Sequence, residues 1–250
     1  MKGIVLAAGK GSRLAELNLQ HKSFAVVQKK HIIDYSLDLL TGGGTTSLVD
    51  EIVVVVGYHA QTIIDYIGDC YKGIPVKYVY QNELKGIAHA VLISKDSLNE
   101  DFIMCLADEI MVNPRLAEMI SCFKESNATC VCGAVIDNED ISMKPIAYDI
   151  DENNNILKVT EKPKEYHNAI RGIGECIFKK EALNYLEELE PNPIRGELEM
   201  GNWIQMAVDD EKIVKVFDLA DGYINVNYAK DIVAANNLLD KSLQKDNYTS

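Results

Sequence analysis

Glu51-Ile52-Val53-Val54-Val55-Val56-Gly57 restricts the fold more than any other stretch. Its β-branched side chains are stiff and favour a strand. Successive side chains of a strand point to opposite faces, so an unbroken apolar run needs cover on both sides. Such a strand belongs inside a sheet with helices above and below. The first half of the chain has the matching rhythm. Residues 4–8, 76–80, 101–107 and 128–136 read as further strands, and residues 32–40, 61–67, 87–98 and 114–125 as helices. Repeated strand–helix–strand units predict an α/β fold, Rossmann-like, with a mostly parallel mixed sheet flanked by helices.

From Pro145 the pattern changes. Residues 147–150 and 156–160 predict a hairpin around Glu152-Asn153-Asn154-Asn155. A strand at 172–178, helices at 180–189 and 197–208, a strand at 213–217 and a closing helix at 231–243 follow. Residues 41–47, rich in glycine and threonine, read as a flexible surface connection. No internal repeat or long linker divides the chain, so residues 1–250 are expected to form one domain whose second half makes a lid or wall over the first.

The formal net charge of −13 argues against a general nucleic-acid surface. A phosphorylated substrate would therefore need a local cluster of Lys and Arg. There is no secretory leader and no apolar run of membrane-spanning length, which points to a cytoplasmic protein away from membranes. The six cysteines show no CxxC pairing and read as buried thiols, with Cys130 and Cys132 on one strand face.

Open parallel sheets bind ligands at the carboxyl ends of their strands. The residues there are 9–13, 57–59, 81–86, 108–109 and 161–162. The first group lies in Leu6-Ala7-Ala8-Gly9-Lys10-Gly11-Ser12-Arg13-Leu14. Its glycines let backbone approach an anion, and Lys10, Ser12 and Arg13 add cationic and hydroxyl groups. It is not a Walker A loop, because Lys10 precedes Gly11, and it is not the dinucleotide fingerprint, because Leu14 stands at the third glycine. Asp108 ends an apolar strand at the ligand edge, where a carboxylate suits Mg²⁺, a cation that takes its other ligands from phosphates and water. The Gln81 amide could pair with a base edge. Lys22, Glu161-Lys162-Pro163 and Arg195-Gly196-Glu197-Leu198-Glu199 carry little by spacing alone.

In this order the pieces closely resemble the sugar-phosphate nucleotidyltransferases, the NDP-sugar pyrophosphorylases. The landmarks are the opening loop, Lys22, Ile33-Asp34-Tyr35, Gln81, Gly86-Ile87-Ala88-His89-Ala90, Leu106-Ala107-Asp108, Glu161-Lys162-Pro163 and Arg195–Glu199. The resemblance implies that a nucleoside triphosphate and a sugar 1-phosphate give an NDP-sugar and pyrophosphate. It implies a nucleotide-binding half over about 1–110 and an acceptor-binding half over about 111–240. Leu6, Ala7, Ala8, Gly9, Gly11, Ser12 and Arg13 would hold the triphosphate, Gln81 and Gly86 the base. Arg13, Lys22 and Asp108 would be catalytic, with Asp108 and Asn227 on Mg²⁺. Glu161, Lys162 and Gly174 would bind the acceptor. A homo-oligomer is compatible with the family.

The chain departs from the family at several points. Glu16, His21 and His31 stand where proline is usual, which alters loop rigidity more than chemistry. Ile87 stands where the family usually has Thr or Leu. In Tyr223-Ile224-Asn225-Val226-Asn227, an Asn replaces the second metal-binding Asp of many relatives, and either Asn227 or Asn225 completes the site. Gly172-Ile173-Gly174-Glu175-Cys176 and Ile146-Ala147 differ from the hexose-phosphate pattern. A cytidylyltransferase acting on phosphocholine or another small phospho-alcohol is therefore an alternative, and a catalytically silent nucleotide-binding subunit is another.

Overall fold

The structure is a computed structural model and describes residues 1–17, 21–42, 47–136, 146–163 and 170–249. Pro145 and residues 43–46 of the expected connection lie outside them. The first elements are β1 (Lys2–Leu6), β2 (Val26–Val27), β3 (Lys30–His31), α1 (Ile32–Leu40), β4 (Glu51–Val56) and α2 (Ala60–Ile67). Then come β5 (Cys70–Tyr71), β6 (Ile74–Tyr80), α3 (Ile87–Leu92), β7 (Phe102–Leu106), β8 (Glu109–Val112), α4 (Leu116–Ser126) and β9 (Cys130–Ile136). The second half adds β10 (Ile146–Ile150), β11 (Ile156–Glu161), β12 (Ile170–Phe178), α5 (Met200–Asp209), β13 (Val214–Asp218), β14 (Gly222–Asn225) and α6 (Ala229–Thr249).

The valine run is β4, at the centre of a parallel set in the order β6-β4-β1-β7. Ile52 to Val56 are all fully buried. Val53 and Val55 face a layer with Ala88, Val91, Phe102 and Trp203. Ile52, Val54 and Val56 face the opposite layer, with Leu37, Leu40, Ile63 and Phe123. Each such side chain contributes roughly 1.5–3 kcal/mol on burial. Strand propensity spans only about 1 kcal/mol, so the two layers, not local preference, hold β4 in place.

Beyond β7 the pairing turns antiparallel through β12, and β9 joins the other edge of β12 with β13 parallel to it. The expected hairpin is β10–β11, and β10 meets β12 at Ile146↔Gly172. The ladder between β12 and β9 shifts register between Gly172 and Cys176. That break releases Gly174 and Glu175 from regular pairing, beside the carboxyl end of β7.

Several elements differ from their expected bounds. The helix expected over 87–98 stops at Leu92, where Ser94 Oγ bonds back to Ala90 O (2.8 Å), and a separate 3-10 turn covers Lys95–Ser97. Lys180–Glu187 is 3-10 rather than α. The closing helix begins earlier, because the Asp231 carboxylate accepts the N–H groups of Asn227 (2.9 Å) and Tyr228 (2.8 Å). The short ribbon of β8 and β14 pairs Asn225 with Glu109, and β8 was not expected. A third, smaller core of Leu14, Ala25, Val27, Ile32, Ile110, Val226 and Ala235 joins α6 to the stretch after β1. Gln28 N also donates to Asn236 Oδ1 of α6 (3.0 Å).

The six cysteines are free, and Cys130 and Cys132 share a face with their sulfurs 3.5 Å apart. Among the described residues no helix is long and apolar enough to cross a membrane.

Candidate active site

A cavity of about 370 Å³ opens at the carboxyl ends of β1 and β7. From the first half it is lined by Leu6, Ala8, Gly9, Lys22, Gln81, Gly86 and Asp108, and from the second by Glu161, Lys162, Gly174, Glu197 and Asn225. Of the expected site residues, Ala7, Gly11, Ser12, Arg13 and Asn227 do not line it. Ala7 points into the opposite layer, since side chains alternate along β1 and its continuation.

Gly11 has φ +61°, and a Cβ there would lie 2.5 Å from Lys22 Cβ. Gly9 is different: a Cβ would meet only the end of Lys22, Cε at 3.5 Å and Nζ at 3.7 Å, both ordinary contacts. Gly11 is thus demanded by packing, while Gly9 leaves the space above the Lys22 ammonium clear. Lys22 starts a single 3-10 turn that His21 caps, its Nδ1 accepting from Ser23 N (3.2 Å). Burial, and then the Lys22 charge, push the His21 imidazole down to about 4, so it stays neutral at physiological pH. The ring therefore supplies the rigidity that the missing proline would have given.

Lys22 Nζ forms an ion pair with Asp108 Oδ2, with the side chains only 17% and 14% exposed. Arg13 is exposed, its guanidinium 5.7 Å from the centre of the Tyr228 ring at the start of α6. Gln81 is buried, and its amide nitrogen contacts both Gly86 O (3.2 Å) and His89 Nδ1 (3.0 Å). Both amide hydrogens are used inside the fold, so Gln81 offers a ligand only its carbonyl oxygen.

Gly86 adopts φ +103°, and a Cβ would come within 2.3 Å of Leu198 O. This is the close approach that docks residues 192–199, whose Leu198 N bonds to Lys85 O (2.7 Å). Gly86→Ala is expected to lower the melting temperature by several degrees, through overpacking of about 1–3 kcal/mol plus backbone strain. A thermal melt matching the parent's would contradict this. In the docked segment Arg195 pairs with the buried Glu199, which also accepts from Asn192 Nδ2 (3.0 Å). Glu161 Oε2 accepts Gly201 N (2.9 Å), and burial raises its carboxyl above the usual range. Lys162, next along the chain, is held at φ +46°, a left-handed conformation that few lysines adopt.

Beside Asp108 stand the two asparagines. Val226 N donates to Asp108 O (2.8 Å), which sets Asn225 and Asn227 on either side of that contact. Asn227 Nδ2 donates to Asn225 Oδ1, and Asn225 Nδ2 to Glu109 Oε1 (3.2 Å). The Asp108 carboxylate and the Asn227 amide carbonyl are oxygen donors of the kind a hard divalent cation takes. Among the described residues no three His, Cys, Asp or Glu side chains converge as a metal site. A cation here would complete its shell from substrate phosphates and water.

Sequence reasoning set Glu109 at the ligand edge but gave neither it nor Glu175 a role. Glu109 is 2% exposed and Glu175 is fully buried. Glu109 Oε2 accepts Gly174 N (3.0 Å), and its Oε1 accepts the Tyr223 hydroxyl as well as Asn225. The Glu175 oxygens lie against Glu109 with no side-chain N–H of the described residues on them. Burial raises both carboxyls, and for Glu175 the Glu109 charge adds to it. Glu109 accepts from three donors, so the more strongly raised carboxyl is that of Glu175. The available signal was a carboxylate inside the otherwise apolar run of β12.

Comparison with known proteins follows this geometry. The family model described as Nucleotidyl transferase matches residues 2–242. The UTP–glucose-1-phosphate uridylyltransferase of Haloferax volcanii is 30% identical over 233 residues, 92% of this chain and 93% of that protein. A bifunctional protein GlmU of Methanococcus maripaludis is 28% identical over 98% of this chain, which spans only 56% of that longer protein. Among solved structures, a UDP-glucose pyrophosphorylase complexed with UDP-glucose superposes with a TM-score of 0.82 at 19% identity, covering 96% of this chain and 98% of that one. An inositol-1-phosphate CTP transferase from T. maritima gives 0.76 at 20% identity, covering 96% and 95%. At those identities the structures speak for the fold alone, and they share its mixed α/β sheet.

Proposed function

The chain belongs to the nucleotidyl transferase family, and from that premise we propose that it condenses a nucleoside triphosphate with a sugar 1-phosphate, releasing pyrophosphate with the help of Mg²⁺. The observation that carries this is the Lys22–Asp108 ion pair, a cation on the turn after the 9–13 loop and a carboxylate just past the end of β7, in a cavity that Lys162 also lines.

In this reading the first half, to about residue 110, takes the nucleotide and the rest takes the acceptor. The 9–13 loop and Arg13 hold the triphosphate, and Lys22 neutralises charge at the α-phosphate. Gln81 meets the base with its carbonyl oxygen, beside Gly86. Asp108 and Asn227 are the residues to hold Mg²⁺, which when bound neutralises the phosphate charge. Lys162 orients the acceptor phosphate, and Glu161 and the Gly174 region face the rest of that molecule. An acceptor phosphate oxygen attacks the α-phosphorus as the bond to the bridging oxygen of pyrophosphate breaks. The attacking oxygen is already ionised, so no general base is required. Catalysis comes from alignment and charge neutralisation.

A second reading, a cytidylyltransferase for a small phospho-alcohol, is favoured by one feature. The cavity wall around Lys162 carries the carboxylates of Glu161 and Glu197, which suit an acceptor with hydroxyl or cationic groups. A thermal-shift panel of NTPs with Mg²⁺, then acceptors against the best NTP with pyrophosphate release as readout, separates the readings. Stabilisation by an NTP and turnover with a sugar 1-phosphate is the expected result. CTP preference with turnover only on phospho-alcohols selects the second. A panel in which no NTP binds and no acceptor turns over overturns both.

A further inference from the structure

We propose that Glu109 is a positioning residue whose buried carboxylate sets the direction of an amide relay through Asn225, and so turns the carbonyl oxygen of Asn227 toward the bound cation. The inference rests on the reading that Asp108 and Asn227 hold the metal.

An asparagine side chain has two unlike arms, an acceptor oxygen and a donor NH₂. Only one of its two flip states can ligate a cation, because the other presents hydrogens to it. A carboxylate carries no such ambiguity, which makes replacement of Asp by Asn at a metal position costly unless the flip is controlled. Here the control comes from two residues away. The Asn225 NH₂ faces Glu109 and donates to its Oε1 at 3.2 Å. Asn225 Oδ1 then lies on the opposite arm and takes a hydrogen from Asn227 Nδ2. Asn227 has its NH₂ committed to that bond, which leaves its Oδ1 as the arm able to ligate.

The surrounding structure holds the relay rigidly. Asn225 and Glu109 are register partners in the β8–β14 ribbon. Glu109 is steadied by Gly174 N–H (3.0 Å) and the Tyr223 hydroxyl. It also follows Asp108 directly, and Asp108 O accepts Val226 N–H between the two asparagines. The same turn therefore sets both the carboxylate ligand and the direction of the amide ligand. Residues that orient metal ligands through hydrogen bonds typically change metal affinity 10–100-fold when removed.

The test is Mn²⁺ affinity of the full chain, read by electron paramagnetic resonance of free Mn²⁺, alone and with UTP present. Glu109→Gln keeps the shape but can donate, so the relay loses its direction. About a 10–100-fold loss of Mn²⁺ affinity is expected, with the melting temperature near the parent's. Asn225→Ala breaks the relay while leaving Glu109 its other donors, and should show the same loss should the first variant fold poorly. The decisive variant combines Glu109→Gln with Asn227→Asp. The new amide at position 109 can then donate to Asn225 Oδ1, and Asn225 to the carboxylate at 227, so the chain of donors runs backwards without conflict. Asn227→Asp should accordingly improve Mn²⁺ affinity at least about tenfold more in the Glu109→Gln background than in the parent. Independent effects of the two changes, or unchanged affinity in Glu109→Gln and Asn225→Ala, would overturn the relay. Asp108→Ala serves as the control: if it too binds Mn²⁺ like the parent, the metal reading itself has failed and the relay falls with it.

Discussion

Replacing Asp108 with alanine is expected to lower turnover by about 10³-fold, about 4 kcal/mol of barrier, while leaving the fold standing. In the proposed mechanism this carboxylate holds the cation that neutralises the phosphates, and it also fixes Lys22 over the α-phosphate position. Both contributions go with the side chain, although they are not additive. The fold should survive because the structural duties of Asp108 belong to its backbone. Its carbonyl accepts Val226 N (2.8 Å), and neighbouring Ala107 N bonds to Leu6 O (3.2 Å). The assay is pyrophosphate release with the best substrate pair, beside a thermal melt. An unchanged rate would point instead to the silent nucleotide-binding subunit.

Glu175→Gln is expected to change how stability depends on pH. Burial and the neighbouring Glu109 charge raise the Glu175 carboxyl well above its ordinary value of 4.5, so the native state keeps a proton that the unfolded chain releases. A raised carboxyl stabilises the fold at low pH, and that stabilisation is lost as pH climbs from about 4.5 toward the raised value. The slope is at most about 1.4 kcal/mol per pH unit. Glutamine has the same shape, needs no proton, and donates an N–H to Glu109. Urea melts of parent and variant should therefore nearly coincide near pH 5, with the variant the more stable at pH 8. A difference that stays flat between those pH values would refute the retained proton.

What was legible in the sequence followed the strength of the pattern. The valine run and the helix Ile32–Leu40 were readable to within a residue, because burial on two faces and on one face leave distinct periodicities. Asp108 was readable as the end of a strand, and Lys22 only through the order of landmarks. Their ion pair spans 86 residues, and no local pattern records such a distance. The β8–β14 ribbon is too short for periodicity to show, and in isolation Glu109 looks like a solvated charge. His21 looked like a lost proline, because a ring nitrogen capping the next turn becomes visible only with the backbone in place. The Gln81 amide looked able both to donate and to accept until Gly86 and His89 were found to use its hydrogens.

The small core that unites Leu14, Val27, Ile110 and Val226 with Ala235 has a consequence for the order in which the protein is made. The four parallel strands β6, β4, β1 and β7 are all complete by Leu106, so that sheet can assemble while the ribosome is still working. The stretch carrying Arg13 and Lys22 has to wait. Its packing partner is α6, joined to Gln28 across 208 residues of sequence. Such distant contacts form late, since the loop they close must be ordered first. The loop after β1 is thus among the first parts of the cavity to be synthesised and the last to be set. A nascent chain stalled before α6 would hold a folded sheet with that loop still unfixed.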